Sequence, residues 1–456
     1  MSSSTGTPQL VPGLSNVSSV TANEQTSYAI LNDGTVRAWG SNYNGELGNG
    51  TTDQSSAPVT VTGLTGVAQL VASNASAYAR LTNGTVKTWG YNGTGQLGNG
   101  TTTSGSTPVD VVGLANVASI TVEGSTVFAV LSDGSVRAWG DNSSGQFGNG
   151  TTTNSSVPVT ISGLTKVSSI TSNQSSYYAL TSDKTVFAWG RNYSGQLGDG
   201  TTTDRNVPTK INALSTVTKL AATNGRAFAV LADGTVRAWG DITDGQLGNG
   251  TKYSSTVPVQ VPGVTGVKDL SVSYNLAIAL RTDNTVVAWG DNTVGSLGNG
   301  TTGGGTASVQ VAGLTAVAAV AANNWSSMAL MADGTVRGWG DNYSGELGIP
   351  STASFGTAPG NIPGLTGVAS VTTHGHTRYA VMNDGTVRAW GNNSEGQLGT
   401  GTTTNSYTPV TVPGLSGVTS VISNGGASYA LLADGTVRAW AQTISRSSAT
   451  AATQTR

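Results

Sequence analysis

The 456-residue chain contains no cysteine, so neither a disulfide framework nor a thiolate metal site is open to it, and its redox compartment is left undefined. Charge is scarce: Asp, Glu, Lys and Arg make up 10% of residues, against roughly 25% in an average soluble domain. The formal net charge of −2 comes without any run of like charges. Nothing here gives an electrostatic footprint for nucleic acid or for an anionic membrane, and neither is expected as a partner. Long apolar runs are also missing, and the most apolar short stretch, VAAVAA at 317–322, is far too brief to span a bilayer. The start, MSSSTGTPQL, lacks a basic region followed by an apolar stretch, so no signal peptide is expected there. Low charge, no cysteine and a Ser/Thr/Asn-rich text suit an extracellular or cell-surface bacterial protein.

What is abundant is repetition. Tryptophans fall at Trp39, Trp89, Trp139, Trp189, Trp239, Trp289, Trp339, Trp390 and Trp440; seven of the eight intervals are 50 residues and one is 51. A period near 50 implies a propeller or solenoid in which each unit is one supersecondary block. The third unit reads as four short strands, A to D: VASITV (117–122), VFAVLS (127–132), SVRAWG (135–140) and PVTISG (158–163). Asp133-Gly134 between B and C is a tight-hairpin signal. Lys184 and Asn284 replace the turn glycine in two units, and a lysine forced to positive φ is strained. Strand D opens with proline in eight of nine units, Ser308 being the exception, which marks D as the outer strand.

The two ends complement each other. After Trp440 no D strand follows, while PQLVPGL at 8–14 is a D strand with no A, B or C before it. Pro8–Val11 is therefore expected to complete the ninth unit beside Val437–Trp440. The expected architecture is all-β: one closed β-propeller of nine four-stranded antiparallel blades over residues 8–441. Residues 1–7 are read as an extension and 442–456 as an irregular tail.

DGTVRAWG, the NGQLG-type turns, the PxxVxGL strand and VxxIxxxxxxxYAL together resemble the regulator of chromosome condensation repeat, over essentially residues 8–441. The resemblance implies a β-propeller, usually of seven blades. Its founding member is a nucleotide exchange factor for a small GTPase and binds chromatin; this near-neutral chain shows no inserted wedge or basic tail for either role. The architecture is also similar to that of propeller-type β-lactamase inhibitor proteins, which grip an enzyme through a loop face. Family members often carry a histidine just before strand B. His376 matches that position, where the other units have Gln25, Ala75, Ser125, Ser175, Gly225, Asn275, Trp325 and Gly426.

Several columns invite functional readings. A buried tryptophan removes ~150–250 Å² from water, worth on the order of 4–6 kcal/mol at ~25 cal/mol/Å², so nine in register suit a core better than a stacking ring. The basic column (Arg37, Lys87, Arg137, Arg237, Arg337, Arg388, Arg438) runs close to the turn Asp column and reads as repeated local pairing rather than an anion channel. Asn49-Gly50 and Asp199-Gly200 resemble fragments of calcium loops but read as turn chemistry. His374 and His376 show no third ligand nearby in sequence, so no metal or cofactor is expected. Neither a nucleophile–histidine–acid arrangement nor a phosphate-cradling loop can be assembled, and an enzyme is not expected.

The nine copies disagree mainly in the A–B loop, from NEQTS (23–27) through SYNLA (273–277), NNWSS (323–327) and HGHTR (374–378) to NGGAS (424–428), and next in the C–D loop. In an antiparallel meander both loops emerge on one face. That face carries Glu24, Glu123, Tyr177, Arg226, Tyr274, Trp325, His374 and His376, a set whose aromatics and Arg are typical of binding hot spots. The expectation is a non-enzymatic, monomeric binding module holding a protein partner there. The alternatives are a scaffold whose loops drift freely, and a multivalent glycan binder.

Overall fold

The computed structural model describes residues 5–441, apart from 24, 74, 243–244, 304, 324, 351–352 and 425–426. Each repeat folds as one four-stranded antiparallel sheet; in the third, A to D are Val117–Glu123, Thr126–Leu131, Val136–Gly140 and Ser155–Thr160. Nine such sheets form the ring. Successive A strands lie side by side around the centre, and that of the first blade, Val17–Ala22, packs against that of the ninth, Val418–Ser423.

Strand B is apolar nearly throughout because both of its faces are covered by neighbouring blades: Val127, Phe128, Ala129 and Val130 are all buried. The core is therefore divided among nine interfaces. One joins Phe128, Val136, Phe147 and Ile161 of the third blade to Val167, Ile170, Tyr177 and Trp189 of the fourth. In seven blades the tryptophan indole donates to a main-chain carbonyl in the GxLG-type turn of the blade before it, at 2.6–2.9 Å, as Trp139 does to Gln96. That geometry explains the turn's glycine. Gly98 has φ +65°, and a Cβ there would come within 2.8 Å of Trp139 Nε1.

The closing strand is Thr5–Leu10, with Gln9 opposite Ala439 and Leu10 opposite Arg438. The Val11 amide continues the pairing onto the Val437 carbonyl at 2.9 Å. The strand starts three residues before Pro8 because the Gly401 amide of the eighth blade reaches back to the Gly6 carbonyl. Residues 5–7 thus belong to the ninth sheet rather than to an extension; the tail assigned to 442–456 lies outside the described residues.

Two finer expectations are corrected. Strand D begins three residues before its proline, as in Ser55–Thr60 with Pro58 inside it. The register shift between Ala38 and Gly40 leaves Pro58 with no ladder donor to supply. Among the described residues the basic and turn-aspartate columns form no contact ion pair: Asp33 accepts from the Thr35 amide (2.9 Å) and hydroxyl (2.7 Å), while Arg37 reaches the Val36 carbonyl and acts on Asp33 only through its charge. The turn's own donors are nearer than the guanidinium and take the carboxylate first. Lys184 does sit at φ 68°, the strained conformation foreseen for it.

Replacing Trp139 with Phe should cost about 1–3 kcal/mol by leaving the Gln96 carbonyl without its donor, read as a lowered unfolding midpoint. Deleting residues 1–14 should lower the melting temperature by roughly 10 °C or more, because it bares an edge and opens the ring. An unchanged melting temperature would show that the strand does not hold the ring shut.

Candidate partner-binding face

Thr126 at the start of strand B pairs with Gly140 at the end of C, which pairs with Ser155 at the start of D. The A–B and C–D loops therefore emerge on one face. The A–B loop is a tight turn. In the fourth blade the Asn173 amide donates to the Ser176 carbonyl, and the Ser176 amide donates to Asn173 Oδ1, both at 3.0 Å.

These variable loops also tie blade to blade. Ser172 Oγ donates to the Glu123 carboxylate at 2.7 Å, Arg226 Nη1 to the Tyr274 carbonyl at 2.5 Å, and Ser273 Oγ to the Asn323 carbonyl at 3.2 Å. Asn323 Nδ2 donates to the Gly375 carbonyl, and Asn424 Nδ2 to the Asn23 carbonyl at 2.5 Å.

The residues singled out from sequence divide accordingly. Trp325 and Tyr274 are exposed, at 37% and 55%. His374 ends strand A in the open. Glu123 is half-buried in its inter-blade bond. Tyr177 and Arg226 are corrections, since neither side chain lies free on the face. Tyr177 is the second residue of strand B, not a loop residue. It is buried against Phe128 and stacks on Trp189 with centroids 5.9 Å apart. Arg226 opens strand B of the fifth blade and is 4% exposed. Both loops are narrower than the five residues assigned to them, and strand alternation turns their last residues inward. Glu24 lies outside the described residues.

Trp325 and His376 come together between the seventh and eighth blades. They line a cavity of about 130 Å³ with Asn323, Ser326, Asp341, Gly375 and Arg378. His376 Nδ1 lies 2.5 Å from Glu346 Oε1, and the second oxygen of that buried carboxylate accepts the Ser344 amide at 2.8 Å. Arg378 is buried, with Nη2 donating to Ser326 Oγ at 2.6 Å and Nη1 to the Gly375 and Thr377 carbonyls. The hydrogen bond to Glu346 raises the His376 pKa above its ordinary 6.5, while the partial loss of water around the otherwise exposed His374 lowers its own. Burial, and then the charge of Glu346, raise Asp341.

Asp341, Glu346 and His376 each bring one ligand-type atom within 4.8 Å of the others. These are the partners that His376 lacked in the linear sequence. Glu346 is nevertheless engaged on both oxygens, and the Arg378 guanidinium stands close enough to interact with it electrostatically, so a bound cation would meet a positive neighbour. The cluster is best described as a buried carboxylate neutralised by the next blade. Asp341, Glu346 and Arg378 were not singled out from sequence. The available signal was glutamate in the GELG of units one and seven, where most units have glutamine.

These features define a class: a nine-bladed propeller whose one loop face carries exposed aromatics and a neutralised carboxylate. The chain belongs to the RCC1-like domain family, which it matches over residues 2–265 and again over 179–446. Its structural neighbours include yeast RCC1 (Prp20), solved bound to Kap60, at 21% identity and TM-score 0.50, covering 80% of this chain and 90% of that one. Human WBSCR16 aligns at 20% identity and TM-score 0.51, covering 78% and 100%. At such identities these likenesses speak for the fold. No curated protein matches the sequence.

The two histidines should titrate apart, His376 above 6.5 and His374 below it, as read from imidazole NMR shifts against pH. Because the His376 pKa is raised on folding, its stabilisation is fully present below its unfolded pKa and lost as pH rises through the folded value. The difference in melting temperature between wild type and His376→Gln should shrink accordingly. The reverse order of titration would dissolve the His376–Glu346 pair.

Proposed function

We propose that the protein is a non-enzymatic binding module that holds a protein partner through the face of its A–B and C–D loops. RCC1-like propellers are often used as protein-binding scaffolds. Yeast RCC1 binds Kap60, and Prp20p has binding properties to Gsp1p and histones. The observation that carries the choice of face is the side-by-side exposure of Tyr274 and Trp325 on adjacent blades, since aromatic anchors dominate binding energy. The inter-blade bonds of Glu123, Arg226 and Asn323 speak against loops that merely drift, because these variable residues are coupled to their neighbours. An extracellular location stays part of this reading on composition alone.

One observation favours a second reading, a multivalent glycan binder. Tyr43, Tyr193 and Tyr343 occupy the same C–D loop position in blades one, four and seven, a third of the ring apart, and are 64%, 65% and 78% exposed. Aromatic platforms repeated in register suit a repeating ligand.

With a partner in hand, Trp325→Ala combined with Tyr274→Ala should weaken binding about 30-fold or more. Asp133→Asn, on the opposite face and matching the natural Asn83, should leave affinity unchanged. Wild-type affinity in the loop variant, with loss in the control, would transfer the site to the other face. Binding to glycans that is lost with Tyr43, Tyr193 and Tyr343 but not with Trp325 would favour the second reading.

A further inference from the structure

The junction between blades one and two is the counterpart of the one between blades seven and eight, with its cations removed. By distance from each blade's tryptophan, Trp325 corresponds to Gln25, Asp341 to Ser41, Glu346 to Glu46, His376 to Ala75 and Arg378 to Ala77. Units one and seven alone carry glutamate in this turn; Gln96, Gln146, Gln196, Gln246 and Gln397 stand in five others and Ser296 in the sixth. Glu46 is as buried as Glu346, at 3% against 1% exposure.

Its surroundings differ. Among the described residues Glu46 accepts only from Asn44, through the backbone amide (2.8 Å) and the side-chain Nδ2 (2.9 Å), and no cation pairs with it. Where imidazole and guanidinium stand at the other junction there are two methyl groups. The cavity here opens to about 480 Å³, lined by Asn23, Gln25, Thr26, Glu46, Ala72, Ser73 and Ala75. That volume falls within the range of small-ligand sites. Beside it, the Ser41 amide donates to the Gln25 carbonyl at 3.0 Å, while the buried Ser41 hydroxyl has no partner among the described residues. A buried carboxylate without a counter-charge is costly unless something positive meets it. At the other junction this chain supplies that charge itself.

We propose that the Glu46 cavity is a receptor for a guanidinium group, supplied by an arginine side chain of the protein partner. Arg378 shows the chemistry this architecture accepts beside its buried glutamate, and the fork of a guanidinium suits a carboxylate with a flanking hydroxyl acceptor such as Thr26, which lines the cavity. The cavity opens among A–B loop residues, so an arginine would enter from the variable face. The source of the guanidinium rests on the protein-partner reading above; the site itself does not.

The test uses the full chain and two probes, free L-arginine and the blocked peptide acetyl-Gly-Arg-Gly-amide, titrated by calorimetry or by NMR. Three proteins are compared: wild type, Glu46→Gln, and Ala75→His with Ala77→Arg. Glutamine is native at five equivalent positions, so Glu46→Gln should fold, which an unchanged melting temperature would verify. The peptide should bind wild type and lose about tenfold or more in affinity to Glu46→Gln. The double variant should bind neither probe and melt higher than wild type, because its own cations fill the site. Equal binding to wild type and Glu46→Gln, or none to wild type, overturns the receptor. Free arginine binding well while the blocked peptide does not would keep the site but overturn the partner side chain as its source, leaving the Trp325 and Tyr274 experiment to judge the partner reading separately.

Discussion

The ring depends most on one recurring hydrogen bond, made in seven of its blades: the indole N–H of the tryptophan given to a carbonyl in the preceding blade's turn. It is made in a buried place where an unmet carbonyl would be costly, and it fixes the angle at which one sheet meets the next. The glycine beside that carbonyl, the small residues around the tryptophan and the buried asparagine of the C–D loop all serve it. Asn92 illustrates the last: its Oδ1 accepts the Leu97 amide at 2.9 Å while its Nδ2 donates to the Thr101 and Thr103 carbonyls. The turn is thereby held where the next tryptophan can reach it. Two tryptophans depart from the rule, and the buried indole N–H of Trp289 has no partner among the described residues. Trp39 donates instead to the Tyr429 hydroxyl at 3.3 Å, across the joint between the ninth and first blades.

The fold was legible because its signals are periodic and local. The tryptophan ruler, the Asp-Gly turns and the unmatched D strand each report on residues close in sequence, and nine copies average out exceptions such as Ser308 and Lys184. The loop face was legible from topology alone. Its individual side chains were less so, for two physical reasons. Tyr177 and Arg226 sit where strand B begins, and a shift of one or two residues decides whether a side chain meets solvent or the neighbouring blade. Asp341 and Glu346 lie about 30 residues before His376 and on another blade, so nothing within one repeat announces their meeting. Only lateral contact between blades makes that cluster, and a reading confined to single units passes over it.

The same lateral logic explains how a nearly uniform ring acquires distinct places. Each junction is built from two adjacent copies, so a single substitution changes a pair of surfaces at once. Glutamate for glutamine in the turn, with histidine and arginine arriving from the next strand, converts one junction into a neutralised cluster. Glutamate without them leaves another open. The chain thus varies its inter-blade spaces while its backbone geometry stays constant.

The strand that closes the ring also sets an order in time. Thr5–Leu10 is made long before its partner Val437–Ala441. At about 5–20 residues per second the ribosome would hold that strand waiting for roughly 20–90 s. During that interval the completed blades can stack on one another as an open spiral, with a sticky edge at the leading end and no place to put it. A second chain emerging alongside offers the same final strand, so during crowded synthesis exchange between copies competes with closure within one. The strand that closes the finished ring is also the one that waits longest for its partner.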